Sequence, residues 1–96
     1  FVRLEVLQGA YLGQRLEFTL QRELVIGRDP GCDIPFADGS VSRRHSRVFL
    51  ANDVVYIEDL GSQNGTQLNG SRIEMAHILR SGDVITAGDV TFKLKF

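Results

Sequence analysis

Hydrophobic residues along this chain return at every second position. Val2, Leu4 and Val6 alternate with Arg3 and Glu5, and Leu16, Phe18 and Leu20 alternate with Arg15, Glu17 and Thr19. Ser46, Val48 and Leu50 fall on one side of a run whose other side is Arg47, Phe49 and Ala51, and Val90, Phe92, Leu94 and Phe96 close the chain in the same way. A period of two places one row of side chains in a core and the other in water, which is the pattern of a half-buried strand. Leu24-Val25-Ile26 is a short apolar run ended by Gly27, and Val54 to Asp59 follows Asn52-Asp53, a pair suited to a two-residue hairpin turn. Asn64-Gly65 and Asn69-Gly70 bracket only Thr66-Gln67-Leu68, so one very short strand fits between them, and Ala87-Gly88-Asp89 turns the last hairpin.

Two segments resist the pattern. Ile34-Pro35-Phe36 is too short and too proline-broken for a central strand and reads as an edge or an extended connection. Glu74 to Arg80 has some helical flavour, but Ser81-Gly82-Asp83 stops it after barely two turns, below what a helix sustains alone, so it reads as irregular. About nine to eleven short strands without a helix predict an all-β sandwich.

The bulk properties narrow this reading. With 96 residues and 43% hydrophobic content, the chain supports one domain, residues 1–96, with a modest core. It opens on Phe1 in strand pattern, which reads as a domain cut from a longer polypeptide. A net charge of −1, with both signs interspersed, gives no global field toward nucleic acid or an anionic membrane, so any anion recognition must be local. The single Cys32 excludes an internal disulfide, and there is no long apolar run or leader, which suits a cytoplasmic domain.

The candidate chemistry lies in three loops. One begins at Arg28, a second carries Ser42-Arg43-Arg44-His45, and a third carries Ser62-Gln63-Asn64. If they share one end of the sandwich, two guanidiniums, a hydroxyl and free backbone N–H groups form a site for a tetrahedral dianion. Asn64, donor and acceptor together, suits the amides of a peptide backbone. Each residue also has a plainer use: Arg28 as a solvated charge, Ser42 as a turn hydroxyl, Asn64 as half of an Asn-Gly turn. A hydrolase built from Ser42, His45 and Asp59 lacks a nucleophile elbow and an identifiable oxyanion donor. Cys32, His45 and His77 have none of the paired spacings of a zinc site, and no aromatic is interleaved with Arg43, Arg44 and Arg47 as single-strand nucleic-acid binding would require.

Gly27-Arg28, then Ser42-Arg43-Arg44-His45, then Asp59-Leu60-Gly61-Ser62-Gln63-Asn64-Gly65-Thr66 with Asn69-Gly70, and last Gly82-Asp83-Val84-Ile85 followed by Gly88, resemble the successive signature blocks of the forkhead-associated (FHA) domain, in a wording closer to bacterial members. The resemblance implies an eleven-stranded sandwich whose apical loops bind threonine-phosphorylated proteins in Ser/Thr-kinase signalling without catalysis or cofactor. By position, Arg28, Ser42 and Arg43 would hold the phosphate and Asn64 the peptide main chain. Gln63 and Ser62 would be auxiliary, and Gly27, His45, Gly65 and Asn69 structural, with His45 bracing the Ser42 loop. Gln63 stands where many members have Thr, and Ser40 where some have a basic residue that reads an acidic side chain three places after the phosphothreonine. Strong selection of an acidic residue three places after the phosphothreonine is therefore not expected. The same fold could instead serve as an assembly domain that ignores phosphate, or engage another part of its own polypeptide.

Overall fold

The structure, a computed structural model covering Phe1–Phe96, contains eleven strands and no helix. They are β1 (Val2–Gln8), β2 (Arg15–Phe18), β3 (Glu23–Gly27), β4 (Ile34–Pro35), β5 (Ser46–Ala51), β6 (Val54–Asp59), β7 (Thr66–Leu68), β8 (Ser71–Arg72), β9 (His77–Ile78), β10 (Val84–Ala87) and β11 (Val90–Lys95). A six-stranded sheet, in the order β2-β1-β11-β10-β7-β8, packs against a five-stranded sheet in the order β4-β3-β5-β6-β9. No helix is present that is long and apolar enough to cross a membrane.

The alternating rows become the core. Val2, Leu4 and Val6 of β1 and Val90, Phe92 and Leu94 of β11 point inward from one sheet, and Leu24, Ile26, Val48 and Ile57 meet them from the other. Phe36, in the connection after β4, lies with its ring 5.5 Å from Phe92 and 5.6 Å from Tyr11. That anchor fixes the start of the segment carrying Ser42, because Phe36 and Val41 are both 1% exposed.

Turn chemistry follows the sequence. Asn52 and Asp53 both take positive φ, 52° and 62°, as a type I′ hairpin turn requires. Ile34–Pro35 lies at a sheet edge, parallel to β3. Two details differ from the pattern. The second strand ends at Phe18 rather than Leu20, and the segment read as irregular contains β9, where His77 and Ile78 pair with Ile57 and Tyr56. Two residues carry too little periodicity to announce a strand, and the neighbouring β6 edge decides their conformation.

Register places the functional end. Ile26 pairs with Ser46, and Ser46 pairs with Asp59. Arg28, His45 and Leu60 therefore flank three adjacent strands at the same end of the five-stranded sheet.

Candidate functional site

Loop 28–33 is welded to the Ser42 loop by backbone contacts. The Arg28 N–H donates to the Ser42 carbonyl at 2.9 Å, and the Asp29 N–H to the Arg43 carbonyl at 3.2 Å. The Cys32 thiol donates to the same Arg43 carbonyl at 3.2 Å. Partial burial, together with the nearby Asp29 and Asp33, raises the Cys32 thiol above its ordinary range despite Arg44, which keeps it protonated and able to donate. The approach of the two segments requires Gly27: a Cβ there would run into the Arg43 carbonyl and lie 2.9 Å from the Cys32 sulfur. The Arg28 side chain is exposed, and its Nε donates to the Val41 carbonyl at 3.2 Å, which aims the guanidinium along the loop.

His45 ties the second loop to the third. Its ring is fully buried, Nδ1 accepts the Ser42 N–H at 3.0 Å, and Nε2 lies 2.8 Å from the Gly65 carbonyl. A backbone N–H only donates, so the imidazole proton sits on Nε2 and is given to Gly65. The Ser42 hydroxyl oxygen in turn accepts the Gln63 N–H at 3.0 Å, which leaves the hydroxyl proton free for a further acceptor. Asn64 reaches back across the gap, and its Nδ2 donates to the Ser40 carbonyl at 2.8 Å.

The third loop is shaped by Asp59. One carboxylate oxygen accepts the N–H groups of Gly61 and Ser62, and the other accepts the hydroxyls of Ser62 and Thr66. Burial pushes this carboxyl upward, but the four donors outweigh it and hold Asp59 below the ordinary carboxylate range. Asp59 is thus a loop organiser. It makes no hydrogen bond to His45, whose two ring nitrogens are taken by Ser42 N–H and Gly65, so no Ser-His-Asp relay forms.

These contacts bring Arg28, Ser40, Val41, Ser42, Arg43, Gln63 and Asn64 around one open recess of about 210 Å³, with Gly39 at its rim. Of the residues singled out by sequence, Arg28, Ser42, Arg43, Gln63 and Asn64 converge there. Gly27, His45 and Gly65 sit behind them. Asn69 lies away from the recess, in the β7–β8 turn at φ 50°, where its side chain accepts the Val84 N–H. Ser62, expected as an auxiliary, does not line the recess because Asp59 captures its hydroxyl. A larger hollow of about 430 Å³ on the outer face of the six-stranded sheet lies among Arg3, Glu5, Arg15, Glu17, Lys93 and Lys95. Both signs mix there, with Glu5 between Arg15 and Lys93 and Arg3 between Glu17 and Lys95, so the cations do not converge on one point.

Sequence reading missed the part played by Ser40. Its N–H and hydroxyl both donate to Asp38, its hydroxyl oxygen accepts the Asp89 N–H at 2.7 Å, and its carbonyl holds Asn64. The hydroxyl and N–H of Ser40 also lower the Asp38 carboxyl from its ordinary range. The signal was present in Asp38-Gly39-Ser40, since an Asp readily accepts the N–H two residues on.

Comparison with known proteins agrees with this architecture. The FHA domain family model matches residues 24–88. The glycogen accumulation regulator GarA of Mycobacterium tuberculosis is 37% identical over 94 residues, a match that covers 97% of this chain and 55% of GarA. Among solved structures, the FHA domain of the CT664 protein from Chlamydia trachomatis superposes with a TM-score of 0.88 at 35% identity, over 99% of this chain and 96% of that one. An FHA domain solved in a study of phosphothreonine-dependent interactions matches with a TM-score of 0.84 at 28% identity, over 99% and 95%.

A two-sheet sandwich with a polar recess formed by its apical loops is the architecture of a binding module. The chain belongs to the FHA domain family. It spans little more than half the length of curated relatives such as GarA.

Proposed function

We propose that this domain is a phosphothreonine-dependent peptide-binding module. The observation that carries the reading is the convergence of Arg28, Ser42, Arg43 and Asn64 from three loops on one recess, with the Ser42 hydroxyl proton uncommitted. Two guanidiniums and a hydroxyl match the donor demand of a phosphate that carries about −1.5 to −2 charge near neutral pH. Arg28 and Ser42 hold phosphate oxygens, Arg43 adds a second cation, and Asn64 captures the adjoining main chain. Asn64 spends one amide hydrogen on Ser40, and its other N–H and its Oδ1 serve the peptide. The similar FHA domain studied for phosphothreonine-dependent interactions supports this reading. The ligand's origin in a Ser/Thr kinase places the module in cytoplasmic signalling, with a phosphorylated partner protein or a phosphorylated segment of its own polypeptide.

Calorimetric titration with one peptide in phosphothreonine and unphosphorylated forms tests the proposal. Binding of the first form alone, lost in folded Arg28→Ala, is expected. Equal binding of both forms would instead support an assembly domain indifferent to phosphate.

A further inference from the structure

Just behind Asn64 stands a cation that the phosphate site does not use. Arg72, on β8, runs alongside the third loop, and a Cβ built at Gly65 would lie 2.9 Å from both its Cζ and Nε. Gly65, at φ 77°, therefore meets two demands: the left-handed turn after Asn64 and room for a guanidinium against its Cα. The Arg72 side chain is 60% exposed, and its one ionic contact is Glu74 at 3.8 Å, too long for a hydrogen bond. A guanidinium with five donors so loosely engaged is available to a further acceptor.

We propose that Arg72 is a specificity-determining residue that selects a carboxylate side chain on the bound peptide, on the Asn64 side of the phosphothreonine. The inference rests on the phosphopeptide reading of the recess. A peptide whose main chain is gripped by Asn64 brings its next side chains within reach of the exposed guanidinium that covers the neighbouring, buried Gly65. Ser40, across the recess, offers no cation, and its hydroxyl and carbonyl are committed to Asp38, Asp89 and Asn64. Charge selection at this end of the recess thus falls to Arg72. Glu74 competes for the same guanidinium through a weak, solvated contact, so a peptide carboxylate displaces it at little cost.

The test is a scan. A phosphothreonine peptide with neutral flanks is compared with peptides carrying one Glu at each successive flanking position, against wild type, Arg72→Ala and Arg72→Glu. The neutral peptide is expected to bind wild type and Arg72→Ala equally. One Glu position should tighten binding to wild type by about three- to five-fold, as an exposed ion pair allows. That gain should vanish in Arg72→Ala and become a preference for Lys at that position in Arg72→Glu. Equal weakening of every peptide by Arg72→Ala would make Arg72 a mere support for the Gly65 turn and overturn the proposal, as would a scan without any favoured position. Failure of the neutral phosphopeptide to bind wild type overturns the phosphate reading itself, and this inference with it.

Discussion

The N–H of Ser42 is held by Nδ1 of the buried His45 at 3.0 Å, and this contact makes the Ser42 loop an extension of the core. The same ring donates to Gly65, so one side chain sets the spacing between the loop that offers Ser42 and the loop that offers Asn64. His45→Phe keeps a planar ring, somewhat larger than imidazole, and removes both partners, which leaves the part-buried Ser42 N–H and the buried Gly65 C=O unsatisfied. We expect it to lower stability by about 2–4 kcal/mol in urea denaturation, with phosphopeptide affinity falling even at temperatures where the variant is fully folded. Undiminished affinity in the folded variant would show that the imidazole supports the fold alone.

Ser42 should separate binding from stability. Ser42→Ala removes a hydroxyl whose proton is uncommitted and whose oxygen accepts the Gln63 N–H at 3.0 Å. The exposed Gln63 can turn to water, so the loss of stability should stay at about 0.5–1.5 kcal/mol while affinity for a phosphothreonine peptide falls at least about ten-fold. Wild-type binding should also weaken as pH falls from 7 to 5, because the second phosphate proton returns near about pH 6 and the dianion loses charge. Titration across that range reads the effect directly, and a flat profile would argue against dianion recognition.

The strands and the site were not equally legible in the sequence. Alternation in β1, β5 and β11 reports which face is buried, and Asn52-Asp53 reports its turn, because both are local constraints. Partnership is not local. Nothing in Val2–Gln8 says that Leu4 will lie beside Leu94 at the far end of the chain. The convergence of Arg28, Ser42 and Asn64 depends likewise on the register of Ile26, Ser46 and Asp59, so their chemistry was readable but their meeting was carried only by family resemblance. Ser62 and Arg72 show the limit from both sides. Asp59 turns the first away from the recess, and Gly65 gives the second a seat beside it. Both outcomes are set by side-chain geometry that spacing does not encode.

Gly27 is a steric requirement rather than a conformational one. Its φ is not in the left-handed region, yet a methyl group there would collide with the Arg43 backbone, which cannot swing aside as a side-chain tip can. Gly27→Ala should push the end of β3 away from the Ser42–Arg43 segment and strain the Arg28–Ser42 and Asp29–Arg43 hydrogen bonds. Overpacking of this kind costs about 1–3 kcal/mol. Thermal melting should show that loss, and titration should show weakened phosphopeptide binding with every ligand side chain still present. Full affinity in the folded variant would mean that the two loops tolerate separation.

Acid should act on the third loop through Asp59. Four donors hold this carboxyl below its ordinary value of 3.8 in the folded protein, so folding favours the ionised form. The sign follows from linkage: the stabilisation is fully present above the unfolded value and is lost as pH falls through the lower, folded one. Asp59→Asn should mimic that loss at neutral pH. An amide keeps one acceptor oxygen for the two N–H donors, but it loses the charge and turns its NH2 toward Ser62 and Thr66, whose hydroxyls must then accept rather than donate. Because the group is partly solvated, we expect a loss of about 1 kcal/mol at pH 7 rather than the larger cost of a buried charge. Below about pH 4, where the unfolded carboxyl is protonated, wild type should lose stability with falling pH more steeply than the variant, so that the two curves converge. Urea denaturation of both proteins from pH 7 to pH 2 measures this, and parallel curves across the acid limb would remove Asp59 as the anchor of the loop.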